Sequence, residues 1–135
     1  MNNQDLEVKV EASVRGQCHR RGYAAPVDVL MDIGCLSKEK YEDWRFGRVH
    51  YLEAVCTMNL NKLSFIMKVI KKYARDNGLK PSFTYYRRWG SKGKGAVKSR
   101  PLRFSKSGRE EIERLYSTHY VDKHLTEKST ETAEM

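Results

Sequence analysis

The sequence contains few cysteines and no long hydrophobic run. Only three of its 135 residues are cysteine, an odd number without paired spacing, which predicts free thiols in a reducing compartment rather than a disulfide framework. No run approaches the ~18 consecutive apolar residues of a transmembrane helix, and the polar start Met-Asn-Asn-Gln-Asp is unlike a signal peptide. We therefore expect a cytoplasmic protein without membrane association.

Patterns typical of metal sites and catalysis are also missing. The three cysteines and four histidines are scattered, whereas zinc sites usually show two close pairs of ligands. The glycines that follow Trp89 lack the G-x-x-x-x-G-K-[ST] spacing of a phosphate-binding loop. Tyr116 and His119 are compatible with a nucleophilic tyrosine, but Tyr116 continues the apolar face of a helix, which favours core packing. The sequence thus predicts no catalytic residue, no metal and no cofactor, hence a protein that is not an enzyme.

Acidic residues are absent from one long segment. Residues 80–109 contain no Asp or Glu but hold ten of the 26 Lys and Arg residues, and the rest of the chain has 16 cations against 17 carboxylates. The net charge of +9 is therefore carried by this segment. Aromatic residues are interleaved with the cations: Phe83, Tyr85, Tyr86, Trp89 and Phe104. Cations mixed with aromatic rings are typical of surfaces that bind nucleic acid.

The same segment predicts a basic β-hairpin. Residues 82–89 are rich in strand-favouring side chains, so that alternate residues from Phe83 to Trp89 share one face, and residues 102–104 predict a second short strand. Between them, residues 90–99 include three glycines and three lysines, which predicts a mobile loop that follows a phosphate backbone. The alternative is a solvated hairpin whose lysines keep its tip soluble.

We predict that this hairpin contacts the phosphates and bases of nucleic acid, either DNA or RNA. A smaller basic group, in a loop predicted at residues 15–22, extends the surface. The predicted contact residues are Tyr86, Arg87, Arg88, Trp89, Lys92, Lys94, Lys98, Arg100, Arg103 and Lys106 in the hairpin, and Arg20 and Arg21 in the loop. The alternative function is a protein-interaction module or inhibitor that docks the hairpin on an acidic protein surface or in the nucleic-acid channel of an enzyme. Both functions are compatible with a phage or mobile-element protein.

Local signals predict the elements of the N-terminal half. Residues 6–14 alternate apolar and polar side chains, which predicts a half-buried strand or an arm. Pro26 is typical of the first position of a helix, and Gly34 is placed to close that helix. Ser37 is a candidate N-cap for a second helix, which Gly47 ends.

The C-terminal half predicts two more helices. The apolar spacing over residues 49–77 favours one long helix as the scaffold of the fold, with a break at residues 57–61 as the alternative. Ser107 and Glu110 match a capping box, and the helix that they begin is expected to continue to Tyr120.

Together these elements predict an α+β fold that is mainly helical. It has three to four helices with a long central helix and a basic antiparallel β-hairpin, and a winged helix is one possible arrangement. Residues 1–24 form an N-terminal arm or strand plus the basic loop, and residues 25–121 form a single globular domain. Residues 122–135 are expected to be a disordered acidic tail.

Residues 41–53 read Tyr-Glu-Asp-Trp-Arg-Phe-Gly-Arg-Val-His-Tyr-Leu-Glu. This stretch resembles one in a group of short bacterial proteins, which also carry segments like those at residues 59–62 and 103–106. The resemblance covers residues 25–121 and implies no particular function. In those proteins the link between Tyr86 and Leu102 is shorter, which implies that the Gly/Lys-rich loop is a local elaboration. We expect the aromatic group around Trp44 to pin a short helix to the long one, with a binding site as the alternative.

Overall fold

The computed structural model describes residues 2–90 and 101–123 and shows an α+β protein that is mainly helical, as predicted. Within these residues, five α-helices accompany one antiparallel sheet of three strands. The helices are α1 (Asn3–Arg21), α2 (Pro26–Asp32), α3 (Lys38–Arg45), α4 (Leu60–Asp76) and α5 (Glu110–Ser117). The strands are β1 (Tyr23–Ala24), β2 (Lys80–Phe83) and β3 (Thr118–Val121), and a 3-10 helix spans Leu52–Val55.

The first helix is the largest departure from the sequence-based expectation. The strand predicted at residues 6–14, and the basic loop predicted after it, are both wrong, because this stretch forms α1. Its buried side chains recur every four residues and make one stripe on the helix: Leu6, Val10, Val14 and Cys18. Val8 completes the alternating pattern of a strand, yet its side chain is 62% exposed. One solvent-facing valine therefore made a helix resemble a strand.

The helices α2 and α3 begin where the local signals place them. Pro26 is the first residue of α2, where its missing N–H breaks no helical hydrogen bond. Gly34 follows the helix with a φ of +83°, a left-handed conformation that favours glycine. The Ser37 side chain caps α3 by accepting a hydrogen bond of 3.1 Å from the backbone N–H of Lys40. Both predicted starts are confirmed.

The central helix α4 is shorter than the long helix we favoured. It begins at Leu60, and the side-chain oxygen of Asn59 caps it by accepting from the Lys62 N–H at 2.9 Å. The break predicted as the alternative at residues 57–61 is therefore present, because Asn59 caps the start of a new helix there, but only a 3-10 helix precedes it. The apolar face of α4 packs on α1 and supplies much of the core: Leu63, Ile66, Met67, Ile70 and Ala74.

Strand β3 lies at the centre of the sheet and pairs antiparallel with both β1 and β2. Pro81 is tolerated in β2, an edge strand, because one side of that strand needs no ladder hydrogen bond. The arms of the predicted hairpin do not pair with each other as a sheet in the described residues; one backbone hydrogen bond, from Leu102 N–H to the Tyr86 carbonyl at 2.7 Å, joins them. Apart from Gly90, the predicted loop at residues 90–99 lies outside the described part of the chain.

The last helix begins and ends differently from the prediction. Helix α5 starts at Glu110 with Arg109 at the N-cap position, so the predicted capping box at Ser107 is wrong. It ends at Ser117, because the next four residues enter the sheet as β3. Tyr120 is thus a strand residue with a buried ring. Local propensity alone does not report the β1 and β2 backbones that offer β3 its hydrogen bonds.

Trp44 joins α3 to the segment that precedes α5. It is fully buried, and its indole N–H donates to the Arg103 carbonyl oxygen at 2.8 Å. Its ring lies 5.4 Å from that of Tyr86 and 5.1 Å from that of Phe104, between centroids. The expected packing role is right, but Trp44 pins α3 to this segment rather than to the long helix.

Two carboxylates fix the same segment, which has no regular secondary structure. Glu113 accepts from the backbone N–H of Phe104 at 2.9 Å and of Ser105 at 2.7 Å. Glu53 accepts from the Lys106 N–H at 2.8 Å. Backbone donors left without partners by the lack of a ladder are thereby satisfied. The segment holds a defined position beside Tyr86 and α3.

Gln17 gives a direct test of how α1 is attached to α2. It is fully buried, and its carbonyl oxygen accepts from the buried Ala25 N–H at 2.9 Å. Gln17→Leu is expected to lower the free energy of unfolding by about 1–3 kcal/mol, because the Ala25 donor loses its acceptor. Urea unfolding followed by circular dichroism measures the change. Gln4→Leu, on the exposed face of α1, is the matched control and is expected to change stability by less than about 0.5 kcal/mol. Equal losses in both variants contradict the assignment.

Candidate functional site

Exposed aromatic rings are concentrated in one part of the molecule. Among the described residues, six large hydrophobic side chains are exposed and four of them are aromatic. These four are Phe46 at 36%, Phe83 at 48%, Tyr85 at 57% and Trp89 at 38% exposure. Three belong to residues 83–89 and the fourth follows α3. Clustered exposed apolar rings mark a surface that a ligand or partner covers.

The four rings are arranged as two edge-to-face pairs. Phe83 and Tyr85 lie 4.9 Å apart with an interplanar angle of 85°. Phe46 and Trp89 lie 5.5 Å apart at 78°. The Trp89 N–H donates to the Arg45 carbonyl oxygen at 2.6 Å, which ties the second pair to the end of α3. These rings are therefore held in place before any ligand binds.

A guanidinium group lies over each exposed ring. The distances from guanidinium carbon to ring centroid are 5.5 Å for Arg114 over Phe83, 5.1 Å for Arg87 over Tyr85, 4.8 Å for Arg45 over Trp89 and 4.9 Å for Arg48 over Phe46. Such pairs place a cation beside each flat apolar face. We call these four rings and four arginines the aromatic–arginine surface.

Local sequence explains why these side chains face outward. Tyr86 is turned into the core against Trp44, which directs its neighbour Tyr85 to solvent. Gly47 makes the turn after α3 with a φ of +75°. A Cβ at this position would lie 3.0 Å from Nε of Arg88, which covers the turn. Gly47 is therefore required both for the backbone conformation and for the approach of Arg88.

A cavity of about 260 Å³ lies beside the two ring pairs. Tyr85 of the first pair lines it, as does Arg45, whose guanidinium lies over Trp89 of the second pair. The remaining wall comes from separate elements: Tyr23 of β1, Asp28 of α2, Tyr41 of α3, Thr84, and His119 of β3. Side chains of β1, α2, α3 and β3 thus converge on one small space.

Arg45 contacts the rings of Tyr86 and Trp89 but pairs with no carboxylate among the described residues. Its Nε is buried and, among the described residues, is the one buried side-chain polar atom without a hydrogen bond. Asp28 is instead bonded to Arg21 at 2.7 Å through its Oδ2 oxygen. A buried donor without an acceptor is unusual in folded proteins.

The other polar groups of the cavity are neutral near pH 7. The Tyr86 hydroxyl and His119 Nε2 form a hydrogen bond of 3.0 Å, and Tyr23 stacks on the imidazole at 5.3 Å. Burial lowers the pKa of His119, which keeps its ring uncharged. Burial raises the pKa of Tyr41 and of Tyr86, so both hydroxyls remain protonated. The cavity therefore offers neutral hydroxyls beside one cation and one carboxylate.

The structure places some of the predicted contact residues on this surface. Arg87, Arg88 and Trp89 lie at its exposed edge. Tyr86 is buried, so its ring is not available to stack on a ligand from solvent, and Tyr85 holds that position instead. Lys92, Lys94, Lys98 and Arg100 lie outside the described residues.

Of the remaining predicted contact residues, some are bonded within the protein and others are exposed. The Arg103 guanidinium donates to the backbone oxygens of Ser105, at 2.8 Å, and Lys106, so it serves the fold. Arg21 is bonded to Asp28 and lies over the Tyr23 ring. The side chains of Arg20, in the last turn of α1, and Lys106 are exposed.

The sequence-based interpretation omitted Arg45, Phe46 and Arg48. The sequence did indicate these residues, because a binding site was the alternative interpretation of the aromatic group around Trp44. In the structure Trp44 serves packing while the next residues serve the surface. Arg114 was also missed, because no local pattern places α5 beside Phe83.

A second basic feature lies along α4. A groove of about 680 Å³ separates this helix from β2 and β3 and has an apolar floor that includes Leu79, Pro81 and Tyr120. Its rim carries four cations: Lys68, Lys71, Lys72 and Arg75. No Asp or Glu is among the described residues that line it. The lysines of α4 thus border a groove as well as solvent.

The reactive groups of the core are shielded. Cys35 is fully buried, and a hydrogen bond with the Cys56 side chain lowers the pKa of its thiol to about 7. Cys56 is half-buried, and the three cysteines are free thiols as predicted. The Tyr116 hydroxyl donates to Glu53 at 2.6 Å, and burial raises its pKa. The expected core position of Tyr116 is confirmed.

The described residues contain neither a membrane-spanning helix nor a metal-binding cluster. Within residues 2–90 and 101–123, no helix has both the length and the apolar content to cross a membrane. The same residues contain no group of three or more His, Cys, Asp or Glu side chains arranged to hold a metal ion.

Compared with known proteins, the chain matches no family model, no curated protein and no solved structure.

Proposed function

We propose that this protein binds nucleic acid without catalysis, through the aromatic–arginine surface and the basic segment that continues from it. One observation carries the proposal: four exposed aromatic rings each lie under a guanidinium group. Rings stack on bases and guanidinium groups pair with phosphates, so the surface presents both chemistries at once.

The exposed rings favour single strands over duplexes. In a duplex the faces of the bases are covered by their neighbours, whereas unpaired bases offer both faces to an aromatic side chain. The two rings of each pair contact each other, and the second pair is also tied to α3 by a backbone hydrogen bond. Binding therefore costs little side-chain ordering at these positions.

The charge of the neighbouring segment supports the same proposal. Ten Lys and Arg residues and no Asp or Glu fall in residues 80–109, against a nearly neutral remainder. This concentration attracts a polyanion and gives the binding a strong dependence on salt.

A second candidate is an acidic protein partner, which the α4 groove favours. An apolar floor with a rim of four cations suits a partner segment that carries both apolar and acidic side chains. The same acidic partner would also meet the basic segment, as the sequence-based alternative had it. The two candidates differ in whether purified protein binds bare oligonucleotides.

Fluorescence anisotropy with labelled single- and double-stranded DNA and RNA tests the proposal. Single strands are expected to bind more tightly than duplexes. If about five cations meet phosphates, log affinity for single strands falls with log salt at a slope of about −3.5. Absence of binding to all four ligands at low salt would remove the proposal and leave the acidic protein partner.

Two triple variants of equal charge locate the binding region. Replacing Lys92, Lys94 and Lys98 by alanine is expected to weaken binding of every sequence and to flatten the slope by about 2. Replacing Lys68, Lys71 and Lys72, on the groove, is the matched control and should leave the slope nearly unchanged. Equal effects of the two variants contradict the assignment to the aromatic–arginine surface and its continuation.

A further inference from the structure

We infer that the cavity between the two ring pairs holds one unstacked base of the bound strand, and that guanine is its best match. This inference rests on the proposed function and adds a specificity site to it. The cavity lies beside the two rings on which bases of the strand stack, because Tyr85 lines it and Arg45, which also lines it, lies over Trp89.

Size and shape limit the occupant. The volume of about 260 Å³ is smaller than the range of about 300–1,000 Å³ usual for drug-sized ligands, so a single small group fits. The walls are largely aromatic: Tyr23, Tyr41, Tyr85, Tyr86 and His119. Aromatic walls favour a flat ring over a tetrahedral anion such as phosphate.

Hydrogen-bonding groups decide which flat ring is preferred. Arg45 lines the cavity and its side chain forms no hydrogen bond among the described residues, so a guanidinium N–H that reaches the cavity can donate to an acceptor on the ligand. Asp28 uses Oδ2 for Arg21, so its second oxygen remains to receive a donor from the ligand. Guanine offers both: O6 and N7 accept, which is the usual arginine contact, and N1–H and the N2 amino group donate.

The other bases satisfy fewer of these groups. Adenine places an amino donor where guanine has O6, so it faces Arg45 with the wrong polarity. Thymine and cytosine present smaller rings to the aromatic walls. The remaining groups that face the cavity, the Tyr41 and Tyr86 hydroxyls and the neutral His119, accept or donate according to the ligand and do not reverse this order.

The test uses eight-nucleotide DNA strands that are abasic except for one central base, which is guanine, adenine or thymine. In fluorescence anisotropy the guanine strand is expected to bind about tenfold more tightly than the adenine strand, which matches the discrimination of one good bidentate contact. In Asp28→Asn the ratio should fall below about threefold, because the amide repels one guanine donor. Asp76→Asn, which removes a carboxylate from α4, is the matched control and should keep the tenfold ratio.

The outcomes separate this inference from the proposed function. Equal affinities of the guanine and adenine strands, with oligothymidine still bound, overturn the base site and leave the proposed function intact. A guanine preference that persists in Asp28→Asn also overturns it, since the base then lies elsewhere. Failure of oligothymidine and all abasic strands to bind removes both. Thermal unfolding of Asp28→Asn confirms that the fold is retained, as expected when a partly exposed ion pair is lost.

Discussion

Trp44→Ala is expected to lower the free energy of unfolding by about 3–5 kcal/mol, the largest effect of any substitution considered for this fold. Trp44 is fully buried, lies against the rings of Tyr86 and Phe104, and donates a hydrogen bond to the Arg103 carbonyl. Its removal leaves a large cavity and an unsatisfied backbone oxygen. Domains of this size are stable by about 5–15 kcal/mol, so the variant loses a large share of its stability. Urea unfolding followed by circular dichroism measures the change.

Trp89→Ala is the matched control, because it removes the same side chain from a position that is 38% exposed. Its cost is expected to be less than half that of Trp44→Ala, since an exposed ring leaves a smaller void. A third variant, Trp44→Phe, keeps most of the ring and removes the indole donor, so it isolates the hydrogen bond. Equal losses in the two alanine variants contradict the role given to Trp44.

The sequence predicted the helix starts correctly where a single residue determines them. Pro26 and the Ser37 cap mark the starts of α2 and α3, because a missing N–H and a side-chain acceptor act within one helical turn. Helix α1 was missed because Val8 gave the sequence a period of two, while the period of four that the core uses was also present. Only the packing of α1 on α4 decides between the two periods.

Strand β3 could not be predicted from the sequence for a different reason. Strand β3 has four residues, and its partners in β1 and β2 are about 100 and 40 residues away in sequence. A stretch so short carries little pattern, and its helical neighbours extended the helix prediction over it. Its strand conformation depends on two backbones that offer hydrogen bonds, which no single segment of sequence reveals.

The candidate site was predicted in part. Charge and aromatic content singled out residues 80–109 as the basic, aromatic-rich segment. The alternating pattern predicted that Phe83, Tyr85 and Trp89 share one face, and all three side chains are exposed in the structure. Tyr86 has the opposite parity and is held in the core by Trp44. The contribution of Arg45 and Arg114 required the tertiary contacts of α3 and α5.

Replacing Tyr85 and Trp89 together by alanine is expected to weaken single-strand binding by at least about 30-fold. Each base stacked on an aromatic ring contributes roughly 1–3 kcal/mol, and Tyr85 and Trp89 are the more exposed members of the two pairs. Because stacking involves no ion exchange, the salt slope should remain near that of the native protein while the affinity falls at every salt concentration. Anisotropy with oligothymidine across a salt series measures both quantities.

The control for this variant is Tyr51→Ala, which removes a tyrosine that also lies beside an arginine, Arg103 at 5.5 Å, but outside the aromatic–arginine surface. Its affinity for oligothymidine is expected to stay within about twofold of native, since Tyr51 is only partly buried and lies away from the surface. If Tyr51→Ala weakens binding as much as the double variant, ring loss acts through the fold and not through stacking.

If the double variant instead binds normally but loses part of its salt slope, the rings only position the arginines above them. Stacking is supported when the double variant binds more weakly, keeps the native salt slope and unfolds at a urea midpoint close to native. Together these three results separate the loss of base contacts from a change in charge and from a loss of stability.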